Sequence, residues 1–336
     1  MTGKRWWVAI GTALALLVLL DQLLLLWRPH PARLPDQFSA DYLRRYIDRG
    51  RGVDPIVVVG DSVLWGYGIP AERAVPAILA RRFAPRPVLN LSYEGGSPAN
   101  ADVLLRYLLA RGVRPACVVL NLNPKVFNPA DSAYRTLHPA LARATADALD
   151  ADDRRLLALP PGRDLNGRIE SVADRTWRLY RWRVDLRSAL FGAPDATSAL
   201  TAFLQNLTGV TERTRAAHVP TADRFLATYD LTPVDTANVA FHYLGRSAAL
   251  LERERIPVVV FATPTNHTLL HEYIDDPAYE RNVRYELSAF RSVTGRVLDL
   301  DRAMPGAMFI DNDHLTPAGS ERLAGVLAPA IASVLP

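Results

Sequence analysis

The feature that most constrains the fold is a series of short apolar runs that alternate with longer helical patterns. The runs are apolar at nearly every position, as is typical of strands that are buried on both faces of a sheet. They predict strands over Ile56–Val59, Pro87–Leu91, Ala116–Leu122, Pro257–Ala262 and Arg296–Leu300. The helical patterns cover Ala71–Phe83, Ala99–Arg111, Ala237–Arg253, Ala278–Val293 and Thr316–Val334. This alternation predicts an α/β fold in which helices cover both faces of a parallel sheet.

Polar residues follow the first apolar run, at Gly60-Asp61-Ser62. Ligands bind beyond the carboxyl ends of the strands in a sheet of this kind, so these residues lie where a site is expected. Two interpretations of Ser62 are open at this stage. The serine is either a nucleophile at a strand end or a hydroxyl that caps the following helix.

A catalytic serine needs a base within hydrogen-bond reach and a third group that orients the base. The chain has seven histidines, and His314 lies in the stretch FIDNDHLTPAGSERLA. It precedes a helix whose start is marked by Thr316-Pro317. Asp311 lies three residues before His314, close enough in a tight turn to accept a hydrogen bond from Nδ1, whereas the adjacent Asp313 is expected to point elsewhere. Ser62, His314 and Asp311 are therefore the candidate catalytic residues.

These motifs resemble those of the SGNH/GDSL hydrolase superfamily. That family has Gly-Asp-Ser near the start of its domain and Asp-x-x-His near the end, as this chain does at Gly60-Asp61-Ser62 and at Asp311 to His314. Its second block is a strand ending in Asn with Gly five residues on, which Asn90 and Gly95 match in VLNLSYEGG. Its third block, Gly-x-Asn-Asp, reads Asn121-Leu122-Asn123-Pro124 here, so one asparagine is kept while the Gly and the last Asp are replaced.

The resemblance implies both a fold and a site. The fold is a flavodoxin-like three-layer parallel sheet, and the resemblance covers residues 54–125 and 235–336. Ser62 is the nucleophile, His314 its base and Asp311 the acid. The oxyanion hole consists of three donors, each typically contributing roughly 10²–10³ in rate. They are the Ser62 N–H, the Gly95 N–H and the Asn123 side-chain amide.

Other candidate groups are few. The candidates for substrate contact are Asp61, Thr265, Asn266 and His267. The sequence has no metal-ligand spacing and no Gly-rich phosphate loop, so neither a metal nor another cofactor is predicted. The net charge of +4 is spread thinly, with no dense Lys/Arg run, which argues against nucleic-acid binding. The one cysteine, Cys117, lies in an apolar run and is predicted to be a buried structural thiol.

An almost unbroken apolar stretch runs from Trp6 to Trp27. At ~1.5 Å per residue it is long enough to cross a hydrocarbon core of ~30 Å. Lys4 and Arg5 precede it, which predicts an uncleaved signal anchor in the inner (cytoplasmic) membrane, with a cytoplasmic N-terminus and a periplasmic body. Asp21 interrupts the stretch. It either contacts a partner, as is the default for an intramembrane acid, or reaches interfacial water.

The predicted organisation has five segments: a transmembrane anchor (1–30), a stalk (31–53), the first part of the catalytic domain (54–126), a helical insertion (127–234) and the second part (235–336). The insertion has no clear strand. Its pattern over Arg175–Phe191 places Trp177, Tyr180, Val184 and Phe191 on one face, with arginines on the remainder. The preferred interpretation is a helical cap that packs this aromatic face on the core. The alternative is a basic groove for an anionic polymer or lipid headgroup.

An anchored domain of this family is similar to the proteins of alginate O-acetylation and teichoic-acid D-alanylation. The resemblance implies a membrane-anchored acyltransferase that O-acetylates an exopolysaccharide or other envelope glycan through acyl-Ser62. A membrane-bound O-acyltransferase is the expected partner, through the transmembrane helix and Asp21. Two alternatives stay open: an anchored carbohydrate esterase with the same three residues, and a non-catalytic accessory subunit of a membrane acyltransferase.

Overall fold

The computed structural model describes residues 3–25, 31–35, 38–129, 132–159, 165–183, 185–186 and 228–336. The central sheet has five strands, all parallel, in the order β2-β1-β3-β4-β5, which is the flavodoxin-like order. The strands are β1 (Ile56–Val59), β2 (Val88–Asn90), β3 (Cys117–Leu122), β4 (Val258–Ala262) and β5 (Gly295–Asp299). The predicted α/β fold class is therefore confirmed.

Helices precede, connect and follow these strands. In the N-terminal half they are α1 (Gly3–Leu23), α2 (Ala40–Asp48), α3 (Ser62–Trp65), α4 (Val75–Arg82), α5 (Pro98–Ala110), α6 (Pro139–Ala144), α7 (Ala151–Leu156), α8 (Leu165–Thr176) and α9 (Arg178–Arg181). In the C-terminal half they are α10 (Val239–Arg253), α11 (His267–Ile274), α12 (Pro277–Ser288) and α13 (Pro317–Ala332). Short 3₁₀ turns cover Ala71–Arg73, Pro124–Phe127, Ser132–Arg135 and Gly306–Met308.

The predicted helices differ from the observed ones in two respects. The pattern Ala71–Phe83 is interrupted at Ala74, which has extended backbone, and α4 begins at Val75. Pro76 explains the break, because proline lacks an N–H and is tolerated only in the first turn of a helix. Among the helices that these patterns did not include are α3 and α11, which begin directly at the candidate residues Ser62 and His267.

The core lies on both faces of the sheet. Strands β1, β3 and β4 are buried throughout, whereas the edge strand β5 is largely accessible. On one face, side chains of β1, β3 and β4 pack with α4 and α13 in one apolar cluster, which includes Cys117. Burial raises the pKa of this thiol to about 12, as expected of a structural cysteine. On the other face, Leu120 lines a small void with Ala101 of α5 and Leu244 of α10.

The chain divides into two compact units. One, called the N-terminal unit below, comprises the described residues of Met1–Pro31, Pro35–Tyr42 and Arg163–Ala216. The other, which contains the sheet, comprises those of Ala32–Leu34, Leu43–Gly162 and Ala217–Pro336. The segments interpreted above as a stalk and an insertion are thus each split between the units. Leu43 and Ile47 of the stalk segment are almost fully buried.

The N-terminal unit contains α1, which is long and apolar enough to cross a membrane, as a signal sequence also is. Asp21 of α1 is buried and is bonded within the chain, since it accepts hydrogen bonds from Arg178 and from the Leu179 N–H. The predicted aromatic face is only partly described: Trp177 is stacked on Tyr180 and is 45% exposed, not packed in a core. Val184 and Phe191 lie outside the described residues.

Candidate active site

Ser62 is the first residue of α3, directly after β1. The capping group of this helix is Asp61, whose Oδ1 accepts a hydrogen bond from the Val63 N–H at 2.9 Å. The Ser62 Oγ is instead 2.8 Å from Nε2 of His314. Of the two interpretations of the serine, the helix cap is therefore wrong, because the preceding aspartate performs that role.

The loop before α13 presents His314 and Asp311 as a pair. The Asp311 carboxylate lies 2.8 Å from the His314 Nδ1 and also accepts the backbone N–H of His314 at 2.9 Å. An Ile310 N–H to His314 carbonyl bond of 2.7 Å closes this loop. Thr316 caps α13, as the Thr-Pro signal predicts. The structure thus brings Ser62, His314 and Asp311 together in one hydrogen-bonded chain.

The charges around His314 favour its protonated form. Burial lowers the pKa of His314, but the hydrogen bond to Asp311 and the charge of Asp313 outweigh burial, so the pKa lies above its usual value. Burial raises the pKa of Asp311, but its bonds to His314 outweigh this and hold the pKa below its usual value. The imidazole is therefore a stronger base than an isolated histidine, and the carboxylate beside it stays ionised.

Asp313 and Lys125, for which no role was predicted from the sequence, lie beside the hydrogen bonds that join Ser62, His314 and Asp311. Asp313 does not simply point away from the histidine: it is fully buried, and its Oδ1 lies 3.5 Å from His314 Nδ1. Its Oδ2 forms an ion pair with Lys125, from the turn after β3. Burial lowers the pKa of Lys125, but the carboxylates of Asp313 and Asp61 outweigh this and raise the pKa. The position of Lys125, two residues after Asn123, is the sequence feature from which a charged group at this site could have been predicted.

Asn123 lies in this network, with its amide engaged on both sides. Its Nδ2 donates to Asp61 at 2.8 Å and to Asp313 at 2.6 Å. An amide nitrogen has two hydrogens, so in this arrangement neither is left for an oxyanion. Asp61 also accepts from Asn121 Nδ2 at 2.8 Å and is buried. Asp61 therefore supports the turn around Ser62 and does not face a substrate.

Two glycines allow the loops around Ser62 to approach closely. A Cβ on Gly60 would lie 2.0 Å from the Asn121 Oδ1, and a Cβ on Gly96 would lie 2.3 Å from the Gly60 carbonyl oxygen. Gly95 is the third residue of a turn that the Gly96 N–H closes on the Tyr93 carbonyl. Its φ of +75° is one that glycine adopts without strain. The loop with the predicted oxyanion donor therefore packs against the residues that precede Ser62.

The residues after β4 support the loop that contains Asp311 and His314. The Asn266 N–H donates to the Asn312 carbonyl at 2.8 Å, and its Nδ2 donates to the Asp311 carbonyl at 2.9 Å. Asn266 is buried and also caps α11. The structure therefore places it as a support for the loop instead of a substrate contact.

His267, another candidate for substrate contact, is held by two carboxylates. Its Nε2 lies 2.6 Å from Asp301 and its Nδ1 lies 2.8 Å from Asp275. Thr265 is fully buried and meets the Tyr279 hydroxyl at 3.2 Å. Neither side chain is presented to a ligand in this arrangement.

An aromatic ring does lie at the accessible side of the site. The Tyr67 ring contacts the His314 ring in a tilted arrangement, with centroids 4.5 Å apart and planes at 36°, and Tyr67 is 41% exposed. Ile310 is likewise exposed and lies near Gly68. Sequence reasoning missed Tyr67, although it lies in the aromatic and Gly-rich stretch after Ser62.

Among the described residues, Asp311, Asp313 and His314 form a group whose ligand atoms lie within 4.8 Å of one another. Each of these groups already has a partner within the site. The His314 Nδ1 is bonded to Asp311, and Asp313 is bonded to the ammonium of Lys125. The oxygen and nitrogen atoms of this group are therefore better suited to the hydrogen bonds and the ion pair that they form than to coordination of an ion.

Comparisons with known proteins add little to this geometry. No protein-family model matches the chain, and no curated protein matches it. Among solved structures, a crystal structure of TesA is similar, with a TM-score of 0.38 and 14% sequence identity over 84% of this chain and 99% of that one. A TM-score this low establishes neither a shared family nor a shared function.

Proposed function

We propose that this protein is a serine acyl-transfer enzyme of the SGNH/GDSL type, which forms an ester on Ser62. One observation carries the proposal: Ser62 Oγ, His314 and Asp311 form a continuous chain of hydrogen bonds of 2.8 Å each. Nucleophile, base and orienting acid in this order are the requirement for acyl transfer by serine. The proposal therefore rests on the geometry of these three side chains and not on similarity to another protein.

The proposed reaction has two halves that use the same base. In the first, His314 Nε2 takes the proton from Ser62 Oγ, which attacks the carbonyl carbon of the donor ester. The tetrahedral intermediate collapses, and the leaving oxygen takes the proton from Nε2. In the second, an acceptor hydroxyl gives its proton to Nε2 and attacks the acyl-serine, and Ser62 Oγ is reprotonated as it leaves. Asp311 orients the ring and stabilises the imidazolium in both halves.

The proposed oxyanion donors are backbone groups. The Ser62 N–H lies in the first turn of α3, where N–H groups have no partner within the helix. The Gly95 N–H, in the turn packed against Gly60, is the second proposed donor. The Asn123 amide can act as a third donor only when it breaks its hydrogen bond to either Asp61 or Asp313. Two donors, each worth roughly 10²–10³ in rate, are enough for a functional hole.

The narrower proposal is that the enzyme is membrane-anchored and transfers an acyl group to a glycan hydroxyl. Two observations support it. The apolar helix α1 is suited to anchoring. The exposed Tyr67 ring beside His314 offers a flat apolar surface on which a sugar ring can stack near the base. A membrane O-acyltransferase as acyl donor is part of this proposal, although contact with it does not need Asp21, whose carboxylate is taken by Arg178.

The test uses the full-length protein in detergent with p-nitrophenyl acetate as donor. We expect labelling by a fluorophosphonate probe and a burst of p-nitrophenol, both absent in Ser62→Ala. Labelling that persists in Ser62→Ala would exclude Ser62 as the nucleophile. No burst and no labelling in the wild-type chain would instead favour the accessory-subunit alternative.

Adding a soluble oligosaccharide then separates transfer from hydrolysis. Transfer predicts O-acetylated sugar by mass spectrometry and faster turnover, and Tyr67→Ala is expected to reduce this product while leaving the burst unchanged. Tyr67→Phe is the matched control because it keeps the ring. Acetate as the sole product at every sugar concentration would favour the esterase.

A further inference from the structure

The helix α8 turns its apolar side chains outward. Ile169 is 59% exposed and Val172 is 62% exposed, and these residues are three apart, so they lie on one face. Trp177, which follows the helix, is 45% exposed. A soluble surface helix shows the opposite arrangement, with its apolar face towards the protein.

The inward side of the same helix is polar. Ser171 Oγ donates to the Asp41 carboxylate at 2.7 Å, and Glu170 forms an ion pair of 2.8 Å with Arg183. Asp174 is fully buried. Each of these contacts lies within the N-terminal unit. Because polar groups already hold α8 in place, its apolar face is not needed for packing and is available to an apolar medium.

The N-terminal unit also contains α1, and the residues that follow α8 are hydrogen-bonded to α1 close to its C-terminal end. Asp21, two residues before the end of α1, accepts hydrogen bonds from Arg178 Nη1 at 3.2 Å and from the Leu179 N–H at 2.9 Å. An acid near the end of an apolar helix is thereby satisfied by the segment that directly follows α8. The apolar surface of α1, including Leu20 and Leu23, is exposed over its length.

We propose that the segment 165–183, the α8–α9 segment, lies on the surface of the lipid bilayer at the end of α1. Its apolar face enters the boundary between headgroups and acyl chains, to a depth of ~5–10 Å. Trp177 lies at the level where tryptophan is enriched in membrane proteins. Arg175, whose side chain is 65% exposed and whose Nε lies 3.6 Å from Asp41, has further N–H groups with which to reach the lipid phosphates.

The choice of lipid over a protein partner rests on continuity. The exposed apolar face of α8 and the exposed apolar helix α1 belong to one compact unit and are joined through Asp21 and Arg178. A bilayer that receives α1 has its surface at the end of that helix, where the α8–α9 segment is attached. The proposal rests on the membrane anchoring by α1 that is proposed above, and it does not depend on the chemistry at Ser62.

The experiment measures the depth of single fluorophores in the full-length protein. In a Cys117→Ala background, Ile169→Cys and Val172→Cys are labelled with NBD and reconstituted into phosphatidylethanolamine/phosphatidylglycerol vesicles. Lipids brominated near the headgroup are expected to remove roughly half of the NBD emission at both positions, whereas aqueous iodide removes little. Leu14→Cys, near the middle of α1 and 58% exposed, is the control within the bilayer, and Glu272→Cys, whose side chain is 70% exposed, is the control in water.

Two results would overturn the proposal. Quenching at 169 and 172 by iodide and not by brominated lipid, as at 272, would place this face in water. Protection from both quenchers would show that a protein, or a second copy of this chain, covers it. Both introduced cysteines are at exposed positions, so the labelled proteins are expected to melt within a few degrees of the background protein. A lack of enzymatic activity would not change the interpretation of the quenching, because the quenching does not depend on Ser62.

Discussion

The ammonium of Lys125 is paired with the buried carboxylate of Asp313, the residue directly before His314. The carboxylate therefore has a cation on one oxygen and the His314 imidazole 3.5 Å from the other. Asp313 raises the pKa of His314, and Lys125 lowers it. The pair therefore adjusts the pKa of His314, in addition to burial and the hydrogen bond to Asp311.

Replacing Lys125 is expected to move the pH dependence of the reaction. Its positive charge lowers the pKa of His314, so Lys125→Met raises that pKa and reduces the neutral fraction of the base at a given pH. The acidic limb of kcat/KM should therefore shift to higher pH, because this limb reports the free enzyme. Lys125→Arg keeps the charge and should leave the limb nearly in place. A shift to lower pH in Lys125→Met would contradict the assignment.

The same pair should be coupled in stability. Lys125→Met leaves Asp313 buried without its cation, which typically costs about 3–5 kcal/mol. The double variant Lys125→Met/Asp313→Asn removes both charges, so its melting temperature should fall by less than the sum of the two single changes. Thermal unfolding of the four proteins in one detergent measures this coupling. Additive losses would mean that the two groups do not interact.

Asp311 should act on kcat and not on folding. Asp311→Asn leaves a side chain of the same size but no longer stabilises the imidazolium, so we expect kcat to fall by roughly 10³–10⁴ with little change in KM. Asp313 lies near the same nitrogen, and the double variant Asp311→Asn/Asp313→Asn should therefore be slower still. Circular dichroism and melting serve as folding controls. A loss of less than tenfold in both variants would remove Asp311 from the catalytic chain.

Asn266 should act through the loop that carries Asp311. Asn266→Ser keeps a side-chain oxygen that can cap α11 through the Leu269 N–H but removes the Nδ2 donor to the Asp311 carbonyl. We expect kcat to fall while the melting temperature changes little, since a lost cap would itself cost ~1 kcal/mol. Asn266→Ala, which removes both bonds, should lower both quantities. A rise in KM with unchanged kcat would instead restore Asn266 as a substrate contact.

His267 should make stability depend on pH. Burial lowers the pKa of His267, but its bonds to Asp301 and Asp275 outweigh this, so the pKa in the folded protein is raised. The stabilisation is complete below the unfolded pKa of about 6.5 and is lost as pH rises through the higher folded value. His267→Gln should therefore lower the melting temperature more at acidic than at alkaline pH. Equal losses at acidic and alkaline pH would show that folding does not shift the pKa of His267.

The strands and the contact between Asp311 and His314 could be predicted because their signals are local. Strand boundaries such as Ile56–Val59 follow from apolar runs in which every side chain is buried, and Thr316-Pro317 marks the start of α13 by the hydrogen bond and φ angle that these residues supply. Asp311 and His314 are close enough in sequence for a tight turn to join them. For Ser62, only the order of the motifs suggested a base from so far along the chain.

The roles of the surrounding polar groups were decided by tertiary structure. Asp61 caps α3, Asn123 is shared between two carboxylates, and Lys125 meets Asp313, because the ends of β1 and β3 and the loop before α13 converge at one edge of the sheet. Spacing along a chain records which residues share a helix face or a strand, but not which donor meets which acceptor once distant loops are packed. The sequence by itself therefore determined the sheet and the candidate residues for its functional edge, and packing decided the partner of each polar side chain.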